Sequence, residues 1–107
     1  MKGDLARVQL AIGEPQSIAQ SAVNFRAALR QEPRNTFYWR QLGIAYGKLD
    51  RVGESSLALA EEAVLRGQSA EALRLAERAK KSLPRGSPDW VRAEDILASA
   101  KSRGQKR

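Results

Sequence analysis

Apolar residues recur along this chain at steps of three and four, and no segment alternates with period two over a useful length. From Ser17 to Gln31 the positions Ile18, Ala22, Phe25 and Leu29 set one helical stripe. Glycine and proline punctuate such stripes at short intervals, so the pattern predicts six helices joined by tight turns. The first runs from Leu5 to Ile12 and closes at Gly13-Glu14-Pro15. The second, Ser17 to Gln31, ends before Pro33-Arg34-Asn35, because the residue preceding a proline is pushed out of the helical region. Thr36 is placed to cap the third, which reaches about Leu49. The fourth spans Glu54 to Arg66 and stops at Gly67. The fifth begins at Gln68-Ser69, carries Ala72, Leu75, Ala76 and Ala79, and ends before Pro84. Ser87-Pro88-Asp89 opens the last: a cap, a proline suited to the first helical position, and an acid that complements the helix dipole. Helices this short are marginal alone in water and must bury their stripes against one another.

An internal repeat indicates how they stack. Pro33 and Pro84 stand 51 positions apart, and so do Trp39 and Trp90, Ala19 and Ala70, Ala28 and Ala79, and Arg34 and Arg85. The chain has only four Pro and two Trp, so their coincidence carries the signal. Fifty-one residues is one and a half units of a 34-residue helix-turn-helix repeat.

Trp39-Arg40-Gln41-Leu42-Gly43-Ile44-Ala45-Tyr46 matches W-x2-L-G-x2-Y, the first half of the tetratricopeptide (TPR) pattern. Ser21, Phe25, Ala28 and Pro33 fit the second half of a preceding unit, and Ala72, Ala76, Ala79 and Pro84 fit that half again with alanine for the large residue. Trp90 reopens the pattern, with Ala93 and Glu94 where Leu and Gly would stand. The chain therefore resembles a TPR array, which implies an all-α fold: antiparallel helix pairs forming an α-solenoid of about six helices over residues 1–101, with a basic, fraying tail at 102–107. The segment from Glu54 to Arg66 breaks strict alternation, since Leu59, Ala60 and Gly67 also mimic a first helix. In this pattern Gly43 lets the neighbouring helix approach, while Trp39, Leu42 and Tyr46 fill the wall between helices. Trp39 and Trp90 are expected in the core rather than as stacking platforms.

A narrower resemblance covers roughly residues 14–97. The runs Arg34 to Gly47, Leu57 to Ala63, and above all Gly86-Ser87-Pro88-Asp89-Trp90-Val91-Arg92-Ala93-Glu94-Asp95-Ile96 are similar to the C-terminal region of BepA-like bacterial zinc metalloproteases. That resemblance implies a non-catalytic tail in the periplasm, which docks on the peptidase domain of the same parent or binds outer-membrane protein clients. The HExxH ligands of the parent family are missing, because the chain has no His.

The chemistry agrees with a binding role. With no Cys and no His there is no thiolate nucleophile, imidazole base or usual zinc site, so neither catalysis nor a cofactor is expected of this chain. No stretch approaches the roughly 20 apolar residues of a membrane span. The net charge is +7, but four of the cations, Lys101, Arg103, Lys106 and Arg107, lie in a tail with no acid after Asp95, and the others are spread along helices beside acids. Nucleic-acid or anionic-surface binding is therefore the weaker alternative, and a free-standing cytoplasmic adaptor for partner peptides the stronger one. The partner expected is a protein, held on the face of the best-matched helix that avoids its packing positions: Phe37, Arg40, Gln41, Ile44 and Lys48. Arg40 and Lys48 suit an acidic segment and Phe37 an apolar anchor.

Overall fold

A computed structural model describes residues 2–105, and the side chains of residues 3–102. Six helices follow one another: α1 (Lys2–Ile12), α2 (Pro15–Gln31), α3 (Thr36–Lys48), α4 (Val52–Leu65), α5 (Ser69–Ser82) and α6 (Pro88–Gln105), and there is no strand among the described residues. The turns work as local chemistry dictates. Pro15 opens α2, where a missing N–H costs nothing. At the end of α4, Gly67 takes φ +73° and returns the Gln68 N–H to the Ala63 carbonyl at 2.9 Å. Ser87 caps α6 as expected, its Oγ accepting from the Trp90 N–H at 3.2 Å. Helix α3 is capped one residue earlier than expected: Asn35 Oδ1 accepts from the Tyr38 N–H at 3.0 Å, and Thr36 is the first helical residue. The last helix continues past Ser102 to Gln105; Lys106 and Arg107 lie outside the described residues.

Each helix packs on the next. Beyond that, α1 meets α3 and α4 meets α6, but α2 does not reach α4, nor α3 α5. The array is thus two three-helix units, α1–α3 and α4–α6, joined where α3 lies on α4. The 51-residue offset relates them. Helices α2 and α5 end 51 positions apart, at Gln31 and Ser82. Buried positions coincide as well: Ser21 with Ala72, Phe25 with Ala76, Ala28 with Ala79, Leu42 with Ala93, and Ala45 with Ile96. One core holds Ala6, Ile18, Ala22, Phe25, Leu29, Leu42, Ala45 and Tyr46, and Ala58 of α4 joins it. The other is mostly alanine, around Leu57, Leu75 and Ile96. The break in alternation at Glu54–Arg66 marks the helix that begins the second unit. End to end the molecule measures 44 Å, against 25 and 18 Å across.

Gly43 makes the joint. A Cβ there would stand 2.8 Å from the Leu59 side chain, and the Ser55 hydroxyl donates to the Gly43 carbonyl at 2.7 Å. Both tryptophans depart from expectation, being half-buried rather than in the core. Each sits in the first turn of its helix, just after a proline-bearing turn. The Trp39 indole N–H donates to the Pro33 carbonyl at 2.9 Å, and the Lys80 ammonium lies 4.7 Å from the Trp90 ring centroid.

Candidate functional site

The backbones of α2 and α4 stay apart, and space is left open between them above α3. There lies a cleft of about 360 Å³, lined by α2, α3, α4 and the start of α6. Leu29, Leu42 and Leu57 supply an apolar floor, with Trp39 and Tyr46 beside them. The three α3 residues expected to wall the helix interface therefore also form the base of an open groove. Leu42 and Tyr46 are buried in the first core at the same time, which fixes the floor rigidly.

The rim carries three arginines, Arg26, Arg30 and Arg92, and three acids, Glu54, Glu61 and Asp89. Most of this charge is already engaged. Arg92 Nε and Nη2 each donate to Glu61 at 2.7 Å, a two-point pair between α6 and α4 across 31 positions. Donating to Glu61 lifts the Arg92 guanidinium above its ordinary pKa, while burial acts against it. Glu54 accepts from Arg51 through both carboxylate oxygens. Asp89 occupies the first turn of α6, where the helix dipole favours an anion. On the cationic side, Arg26 donates to the Tyr46 hydroxyl at 2.9 Å, which raises its pKa against the effect of burial, and the nearby charges of Asp89 and Glu54 raise it too, though Arg26 makes no ion pair among the described residues. Arg30, one turn further along α2, makes no ion pair among the described residues. Arg26 and Arg30, four residues apart on one helix, thus line the cleft without an ion pair among the described residues.

The residues chosen from sequence lie elsewhere on α3. Phe37 and Ile44 are 44% and 37% exposed, and Lys48 is exposed at the helix end. The Arg7 guanidinium lies 5.5 Å from the Phe37 ring centroid. Gln41 is half-buried. Arg40 opens onto a second, more polar hollow of about 510 Å³, where α3 and α5 fail to meet above α4. Glu62, 9% exposed, is its pivot: Arg40 approaches at 3.6 Å and Arg66 at 3.0 Å. The five candidates are not brought to one concave site. Among the repeat residues, Leu42, Gly43, Tyr46, Ala72 and Ala79 are buried, and Pro33 and Pro84 are exposed in their turns. Sequence reading missed Arg26, Arg30, Glu61 and Arg92. The spacing of Arg26 and Arg30 beside an apolar stripe was an available signal; the Glu61–Arg92 contact had none.

Among the described residues no group of three or more His, Cys, Asp or Glu is placed to hold a metal, and no helix is long and apolar enough to cross a membrane. Comparison of the chain with known protein families, with curated proteins and with solved structures finds no match.

Proposed function

We propose that this chain is a protein-interaction module that holds a partner's polypeptide segment in the cleft between α2, α3, α4 and α6. The cleft itself carries the reading: an apolar floor large enough for a bulky side chain or two, with Arg30 outside any ion pair among the described residues and Arg26 bonded to the Tyr46 hydroxyl at its rim. A segment that puts an apolar residue on Leu29, Leu42 and Leu57 and carboxylates against those arginines meets every free group there. The resemblance of residues 14–97 to the tail of BepA-like zinc metalloproteases supports the wider setting. In that setting the chain is a TPR-type, non-catalytic C-terminal region of a periplasmic peptidase, and the segment belongs to its peptidase domain or to an outer-membrane protein client. The intact mass and zinc content of the natural gene product test the setting: a larger, zinc-bearing protein is expected.

The binding test uses Trp39 as its own reporter. In a Trp90→Phe background, peptides that combine a bulky apolar residue with two acids should shift Trp39 emission. Arg30→Glu should weaken them by about tenfold while leaving the melting curve in place, since Arg30 is exposed. If Trp39 responds to no peptide, the cleft is not the site. If the Arg40→Glu, Lys48→Glu double variant abolishes binding and Arg30→Glu does not, the partner lies on the outer face of α3.

A further inference from the structure

The hollow between α3 and α5 differs from the cleft in its charge. Around the cleft three arginines meet three acids, whereas four arginines and two glutamates line this hollow. The guanidiniums come from three directions: Arg40 on α3, Arg66 just past the end of α4, and Arg74 and Arg78 one turn apart on α5. The shared helical plan does not call for them. Under the 51-residue offset Arg40 falls on Val91, Glu62 on Ala11, Arg66 on Pro15, Arg74 on Val23 and Arg78 on Ala27, all neutral. Four cations on one hollow repel one another unless something holds them. Glu62 does so: it is buried, accepts from Arg66 Nε at 3.0 Å and draws Arg40 to 3.6 Å. Glu71 accepts from two nitrogens of Arg74. Both carboxylates are thereby engaged. Arg78 makes no ion pair, and neither Arg40 nor Arg78 donates a hydrogen bond, among the described residues.

We infer that this hollow is a binding site for a compact polyphosphate, with pyrophosphate the smallest ligand of the class. A carboxylate offers two oxygens in one plane and is satisfied by a single guanidinium fork. Phosphoryl groups carry their oxygens in a tetrahedron, and two of them linked present oxygens to several sides at once. Donors converging from three helices meet that arrangement. Arg40 and Arg78 supply uncommitted guanidiniums, Arg66 adds the nitrogens that Glu62 leaves free, and Glu62 holds Arg40 and Arg66 in place before the ligand arrives. The hollow, about 510 Å³, has room for linked phosphoryl groups, and no aromatic side chain lines it. It shares no residue with the cleft, so it stands apart from the peptide site proposed above.

The site is tested by titrating sodium pyrophosphate into the full chain at about 0.15 M salt, where diffuse attraction is screened, and following amide chemical shifts. Saturable shifts should centre on Arg40, Arg66, Arg74 and Arg78. Arg78→Gln should weaken binding at least about tenfold and leave the melting curve in place, since Arg78 is exposed. Arg40→Gln repeats the test from α3. Arg30→Gln, the same change of net charge in the cleft, should alter the affinity about twofold at most. Glu71→Gln frees Arg74 and should tighten binding about threefold, whereas Glu14→Gln, the same change at the exposed start of α2, should not. Shifts that never saturate, or a loss equal in Arg30→Gln and Arg78→Gln, would mean a diffuse ion atmosphere and overturn the assignment. Citrate binding at the same residues as tightly as pyrophosphate would overturn it too, because carboxylates would then serve equally.

Discussion

The two three-helix units share a plan and differ in filling. Phe25 and Ala76 occupy the same place 51 positions apart, each fully buried; so do Leu42 and Ala93. The first unit is built on rings, with Phe25 and Tyr38 centroids 6.0 Å apart and tilted at 46°, and Tyr46 buried beside them. The second is built on alanines at 60, 63, 72, 76, 79, 93 and 100. Small side chains let helix axes close. Large ones hold axes apart. Trp39 and Tyr46 line the gap between α2 and α4, whereas the hollow between α3 and α5 is lined by aliphatic and charged side chains.

Exchanging the fillings should have the largest effect. Phe25→Ala leaves a ring-sized void in a buried site and should cost about 3–5 kcal/mol, a large part of the stability of a domain this size. Ala76→Phe asks the closely packed unit to admit a ring and should also destabilise, by about 1–3 kcal/mol or more, through displaced helices rather than a void. Thermal melts of both variants decide the matter. A Phe25→Ala protein melting within a few degrees of the parent would mean that the two units are interchangeable in their packing.

Between these sits the joint. Gly43→Leu must displace Leu59, and the Ser55 carbonyl oxygen, 3.4 Å from the same Cβ, limits the room to move. A loss of about 1–3 kcal/mol is expected, with Leu59→Ala restoring part of it in the double variant. If the melting curve of Gly43→Leu matches the parent, α3 and α4 do not depend on that close approach, and the joint is looser than the units it connects.

How much of this was legible follows the range of the interactions. All six helices could be read, because stripe, proline and glycine act within a few residues; so could the Ser87 cap and the small residues at Gly43, Ala72 and Ala79. The Pro and Trp coincidences disclosed the 51-residue offset, which the ends of α2 and α5 and several buried positions share. The cap at Asn35 was missed by one residue, since neighbouring Asn and Thr both cap well and only geometry chooses. The half-burial of Trp39 and Trp90 goes with contacts outside the stripe, the Pro33 carbonyl for one and Lys80 for the other, which periodicity does not report. The cleft was beyond reach altogether. It follows from α2 and α4 not meeting and from Arg92 reaching Glu61 across 31 positions, and both are consequences of packing angles rather than of spacing.

The finest discrimination lies within the alanine unit, where two arginine–carboxylate pairs of similar geometry do different work. Arg92 ties α6 to α4 through Glu61, whereas Arg74 reaches Glu71 three residues away on the same helix, its two nitrogens at 3.0 and 2.7 Å. Glu61→Gln should cost up to about 1 kcal/mol, because it releases one helix from another. Glu71→Gln should cost least of all the changes considered, since α5 is held without it. Its mark is a pH dependence. The hydrogen bond from Arg74 holds the Glu71 carboxyl below its ordinary pKa, with desolvation opposing weakly. The pair's contribution is thus present above the unfolded-state value of about 4.3 and disappears as pH falls through the lower folded-state value. Melts of parent and Glu71→Gln should therefore differ slightly at neutral pH and converge in acid. A gap that persists below the folded-state pKa, or that rivals the Glu61→Gln loss at neutral pH, would show that α5 leans on its own surface pair as much as α6 leans on α4.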